Sequence, residues 1–147
     1  MPELYKKKFA SLLSNKQQLE YQFFTEKTAN VDGKEFKYLE CNIDLDILKC
    51  AIELAKEKSK FTMSQNQASI PRDSVTKLQK CAQGVLAEMF IHFLLIERYG
   101  FAVLRYDLER ESFVYSKEEY DLKIFVSDIF YEVESRSSNI HHKSVER

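Results

Sequence analysis

Four acidic side chains in the C-terminal half of the chain have the types and spacing for metal chemistry. Glu132 and Glu134 lie in Ile129-Phe130-Tyr131-Glu132-Val133-Glu134-Ser135, and Asp121 heads the neighbouring run Tyr120-Asp121-Leu122-Lys123-Ile124-Phe125-Val126. Side chains alternate across a strand, so Glu132 and Glu134 share a face. The rest of their run is β-branched or aromatic, the composition of a buried strand. Two carboxylates on such a strand are costly to bury unpaired. A hard divalent cation such as Mg²⁺ or Mn²⁺, which prefers carboxylate oxygen, is the simplest compensation. Glu88 stands alone among apolar residues from Val85 to Ile96 and is a further candidate. A plainer reading makes Glu132 and Glu134 the solvent face of an edge strand, paired across a hairpin with Lys123. Glu88 and His92, one helical turn apart, can likewise form an internal pair instead of a metal site.

The elements that must position these groups follow from periodicity. Phe9, Leu12, Leu13, Leu19 and Phe23 predict an amphipathic helix from about Tyr5 to Lys27. Val31-Asp32-Gly33-Lys34 is a turn signal, and Glu35 to Cys41 is a short strand or an extended linker. Leu45, Leu48, Ile52 and Ala55 mark a second helix from about Asp44 to Lys60, with lysines in its last turns. The polar stretch Thr62 to Ile70, closed by Pro71-Arg72-Asp73, is the candidate boundary or loop. Asp73 or Ser74 caps a third helix that runs to about Tyr99 and stops at Gly100. Because this helix is apolar nearly all round from Val85 to Ile96, it is expected to be buried against a sheet. Phe101 to Tyr106 is a strand, and Asp107 to Glu119 a hairpin or loop with Phe113-Val114-Tyr115 as an extra strand. The two carboxylate-bearing strands then meet at Ser127-Asp128. The polar run from Arg136 to Arg147 can begin another helix.

Composition bounds the function classes. The 147 residues are 44% hydrophobic and 31% charged, the profile of one ordinary globular unit. With a net charge of −1 there is no global basic signal, so a nucleic-acid role requires a local patch. Cys41, Cys50 and Cys81 are odd in number and widely spaced, which favours free thiols in a reducing cytoplasm. The basic N-terminus lacks a following apolar run of signal-peptide length, and Val85 to Ile96 is too short to span a bilayer. No phosphate-cradling, dinucleotide or serine-hydrolase motif occurs. Cys81 reads as a core residue, and His141-His142 as part of a terminal tail.

The order helix with a lone glutamate, strand, strand opening with Asp, strand carrying Glu-x-Glu resembles the PD-(D/E)xK nuclease superfamily, the restriction-endonuclease-like fold. The resemblance covers about residues 74–140. Tyr120-Asp121 stands for the family's Pro-Asp, Glu132-Val133-Glu134 for its (D/E)-x-K, and Glu88 for its helix glutamate. It implies a Mg²⁺-dependent endonuclease hydrolysing DNA phosphodiester bonds, of a restriction or defence type. In that scheme Asp121, Glu132 and Glu88 ligate metal, and Glu134 acts as general base or positions water. Two features depart from the pattern. Glu134 replaces the family's lysine, with Lys143 as a relocated substitute if the tail folds back. The family core also continues beyond the tripeptide with a helix and strand, for which this chain leaves little length. A second protomer completing the sheet is one resolution, and a fragment of a longer chain is another.

The sequence thus predicts an α+β (α/β-like) protein. Residues 1–70 form a helical N-terminal region, and residues 71–147 a helix-plus-mixed-sheet core that stops after its third strand. Arg136 and Lys143 are candidate contacts to nucleic-acid backbone. The competing expectation is a non-catalytic protein-interaction module, either a degenerate nuclease fold or an unrelated helix-plus-sheet domain.

Overall fold

The computed structural model describes residues 2–61, 73–109 and 120–138. They form an α+β protein with three long helices, one short helix and two small antiparallel sheets. Helix α1 spans Pro2–Gln18 and turns Tyr5 and Phe9 inward. It stops short of the predicted end near Lys27, with Glu20 at a positive φ of 53° just beyond it. The following segment is strand β1, Phe24–Val31, not helix. Thr25, Thr28 and Val31 are β-branched and favour extended backbone. Asp32 and Gly33, both at positive φ, then fold the chain back into β2, Lys34–Cys41. The helical stripe drawn through Leu19 and Phe23 therefore joins residues of different elements. Leu19 is exposed, whereas Phe23 is fully buried beneath the hairpin.

The second and third helices form as their caps predict. Helix α2, Leu45–Ser59, begins at Asp44, whose carboxylate accepts from the Ile47 N–H at 3.0 Å and also pairs with buried Lys16 of α1. Helix α3, Ser74–Tyr99, begins at Asp73, which accepts from the Thr76 N–H at 2.7 Å. It ends on Gly100 in the left-handed conformation at φ 62°, a position that suits a residue without Cβ.

The apolar core lies between the three helices. Phe9, Ile47, Ala51, Leu54, Val85, Met89 and Phe93 are buried in it, and Phe23 stacks on Phe93 at 4.2 Å between ring centroids. The buried face of α3 is thus met chiefly by α2, and strand β3 and Phe24 of β1, whose ring lies 5.7 Å edge-on from that of Phe90, also pack on the helix. An apolar helix surface states only that it must be covered, not by which kind of element.

Strand β3, Ala102–Arg105, leads into a single helical turn α4, Tyr106–Glu109. Strands β4, Leu122–Val126, and β5, Ile129–Val133, complete a sheet of order β3-β4-β5. All its pairings are antiparallel, where a mixed sheet was expected. Ser127 and Asp128, both at positive φ, make the tight β4–β5 turn, and such turns join only antiparallel neighbours. The stretch 62–70 with Pro71-Arg72, the extra strand at Phe113–Tyr115, Lys143 and the His141-His142 pair lie outside the described residues. Residues 136–138 are not helical. Cys41, Cys50 and Cys81 are free thiols. Among the described residues no helix is long and apolar enough to cross a membrane.

Candidate functional site

Glu88 projects from the inward face of α3, on the same surface as Val85, Met89 and His92, and is 9% exposed. Arg105 comes to it from the end of β3. Alternation along that strand turns Val103 and Arg105 to the helix side, beside Leu122 of β4, and Arg105 is the largest fully buried side chain of the fold. Its Nε lies 3.8 Å from Glu88 Oε2, and its guanidinium carbon lies 4.9 Å from the centre of the Phe9 ring. Among the described residues, Nε and Nη1 have no hydrogen-bond partner. The long ion pair, the Asp107 carboxylate and the aromatic face offset part of the cost of this buried cation.

Two more charges enter from α4 and α2. Asp107 is buried and pairs with Lys58 of α2. Asp121 sits immediately before β4 and is oriented by two main-chain bonds. Its Oδ2 accepts from the Ser135 N–H at 2.7 Å, and its own carbonyl accepts from the Tyr106 N–H at 3.0 Å. Burial is the main force on the Glu88 carboxyl, raising its pKa from 4.5 to about 7. Asp107 and, more weakly, Asp121 push the same way, while Lys58 and Arg105 oppose them. Burial likewise lowers His92 from 6.5 to about 3, with Arg105 adding to the effect. The His92 ring stacks on Phe9 at 4.9 Å, and among the described residues its Nδ1 has no hydrogen-bond partner.

The sequence candidates therefore fall into two places. Glu88 enters a charged cluster with Arg105, Asp107 and Lys58, and Asp121, far from it in the chain, acts on it more weakly. Glu132 and Glu134 do not join them there. Expected on a buried strand, they are exposed, Glu132 on β5 and Glu134 just beyond its end, and Ile129, Phe130 and Tyr131 of β5 are also exposed. The strand lies at the sheet edge, and β4 takes the buried position through Leu122. Lys123 is the register partner of Glu132, as the plainer reading of the sequence had it, and its ammonium lies 4.3 Å from the Tyr120 ring centre. Glu134 pairs with Arg136, which is itself exposed. Among the described residues, no three Asp, Glu, His or Cys side chains stand close enough together to hold a metal ion.

Arg105, Asp107 and Lys58 were missed in the sequence. Arg105 carried a usable signal, because alternation through Val103 places it on the inward face of an apolar strand. Lys58 and Asp107 carried none, since their pairing depends on how α2 meets α4. No family model, curated protein or solved structure matches this chain.

Proposed function

We propose that the unit α3-β3-β4-β5 is a metal-dependent phosphodiesterase core of the restriction-endonuclease-like kind, acting on DNA in a restriction or defence role. The observation that supports this reading is a buried glutamate in the middle of the helix, Glu88, on which Asp121, at the head of the central strand, acts electrostatically, though more weakly than Asp107. A glutamate on the helix and an aspartate heading a strand of the following sheet are the positions that the resemblance implies, although that sheet is antiparallel and not mixed.

The donor chemistry of this pair suits Mg²⁺. Both groups are hard oxygen ligands, and the neighbouring carboxylates that raise Glu88's proton affinity would equally favour a dication. Glu88 and Asp121 would hold the ion, with water or main-chain oxygen completing its shell, and bound Mg²⁺ would polarise a phosphoryl oxygen and acidify a water molecule. The protein's own contribution is positional. The Ser135 N–H fixes one oxygen of Asp121, and Arg105 lies against Glu88 from inside the fold. Glu132 and Glu134 stand outside this pair, so the ligand set differs from the one drawn from the motif.

A second reading, a non-catalytic interaction module, is favoured by the way the protein compensates its own acids. Glu88 has Arg105, Asp107 has Lys58, Glu134 has Arg136, and Glu132 faces Lys123. Calorimetric titration with Mn²⁺ separates the two readings, using the parent chain beside Asp121→Ala and Glu132→Ala, each checked for folding by circular dichroism. Binding that Asp121→Ala abolishes and Glu132→Ala retains supports a metal site at Glu88 and Asp121. Absence of binding in the parent, or equal binding in the parent and Asp121→Ala, removes the nuclease reading and leaves the interaction module.

A further inference from the structure

The β1–β2 hairpin is an unusual part of the fold. Its base is well anchored: the Asn42 N–H donates to the Phe23 carbonyl at 2.8 Å, Tyr21 Oη donates to the Asn42 carbonyl at 2.7 Å, and Arg98 of α3 pairs with Glu26. Beyond the base, both faces are largely open, and Phe36 and Tyr38 are 51% and 46% exposed. Among the described residues β1 and β2 form a sheet of only two strands, so the outer edge of β2 has no partner. A two-stranded ribbon is marginal in water on its own, and a long edge bearing aromatic residues is a template for another strand.

The sequence of that edge matches itself in reverse. Lys34, Phe36, Tyr38 and Glu40 share one face of β2. When β2 is laid antiparallel to a second β2 about a two-fold axis through Lys37, Lys34 meets the partner's Glu40 and Phe36 meets the partner's Tyr38. On the opposite face, Lys37 lies directly across from the partner's Lys37, a like-charge pair that the partner's Glu35 offsets from the diagonal position. The first row thus places opposite charges and aromatic rings together, the pairs that stabilise antiparallel strands, and carries the complementarity of the edge. Glu40 already holds Lys27 of β1 at 3.0 Å, and Lys34 would bring it a second cation from across the axis.

The backbone register agrees. Asp32 and Gly33, at φ 51° and 77°, form a two-residue turn closing on Val31 and Lys34 as a hydrogen-bonded pair. Counting from that pair, alternate residues of β2 bond to β1, and Glu35, Lys37 and Leu39 direct their N–H and C=O groups outward. An axis through Lys37 sets Lys37 against the partner's Lys37, and Glu35 against the partner's Leu39, as hydrogen-bonded pairs, so none of these outward groups is left without a partner.

We propose that this chain forms a two-fold homodimer by pairing β2 with β2 of a second copy, giving a continuous four-stranded sheet β1-β2-β2-β1. The dimer axis lies on the hairpin, away from the sheet that carries Asp121.

The test is the mass in solution by light scattering across a concentration series. The parent chain is expected to reach twice the 17.4 kDa of one copy. Lys37→Pro removes an outward N–H without touching a bond to β1, and is expected to give the monomer. Thr28→Pro makes the same change on the outer edge of β1 and is expected to leave the dimer. A parent that stays monomeric at every concentration overturns the proposal, as does a dimer that survives Lys37→Pro or is lost equally with Thr28→Pro. Lys37→Cys in a Cys41→Ser background gives a readout free of proline. Hydrogen-bonded antiparallel pairs hold their Cα atoms about 5.5 Å apart, within disulfide reach. A cross-linked dimer is expected on mild oxidation, and its absence overturns the pairing.

Discussion

Replacing Glu88 by Gln should expose a pH sensitivity that the parent protein hides. His92 is held near pKa 3 in the fold against an ordinary 6.5, so between these values the unfolded chain binds the extra proton. Stability is then lost as pH falls through that window, and the linkage relation gives a loss of about 2 kcal/mol from pH 7 to pH 5. Glu88 works in the opposite direction. Its folded pKa of about 7 exceeds the ordinary 4.5, so the folded state takes up the proton first and gains stability on acidification. Over the same interval that gain is also about 2 kcal/mol. The two contributions nearly cancel, and the parent should change by less than about 1 kcal/mol between pH 7 and pH 5. Glu88→Gln removes the gain and leaves the loss, so its stability should fall by about 2 kcal/mol over the interval. His92→Phe keeps a ring against Phe9 and removes the loss, so its stability should rise by a similar amount. The charged neighbours Asp107, Asp121, Lys58 and Arg105 stay in place in both variants. Urea unfolding at the two pH values, followed by circular dichroism, reads each profile. A Glu88→Gln profile as flat as the parent's would show that Glu88 and His92 are not the buried, oppositely shifted pair described above.

Two further substitutions test the framework that carries the charged cluster. Phe23→Ala empties a fully buried site against Phe93 and should cost about 3–5 kcal/mol in urea unfolding; a loss under about 1 kcal/mol would contradict the placement of Phe23 in the core. Asp44→Ala removes the cap of α2 and strands the buried Lys16 ammonium. Asp44→Asn keeps a capping oxygen and should be the milder change by about 1 kcal/mol; equal losses for the two variants would argue against the cap. The Mn²⁺ titration of Asp121→Ala and the oligomeric state of Lys37→Pro complete the set, the first addressing the charged cluster and the second the hairpin.

Local chemistry determined a good deal of this protein from sequence alone. Asp44 and Asp73 each offer a side-chain oxygen to a free N–H, and Gly100 accepts a left-handed backbone. These are properties of single residues, so α2 and α3 begin and end where their caps place them. The Asp32-Gly33 turn and the alternation in β4 and β5 are equally local. The α+β class follows from such elements, because their periods differ whatever they pack against.

Tertiary structure decided which of the acidic residues meet. Alternation predicts Glu132 and Glu134 on one face, but burial belongs to a strand's neighbours; among the described residues β5 is an edge strand, and Glu132 on it and Glu134 just beyond it are in solvent. The helical stripe through Phe23 failed for a related reason. Phe23 was correctly apolar, yet it reaches the core from the base of a hairpin and not from a helix face. The cluster of Glu88, Arg105, Asp107, Lys58 and Asp121 draws on two helices, a helical turn, the end of one strand and the head of another. No spacing in the chain encodes that meeting, because charges attract through space once hydrophobic burial has set the distances between elements.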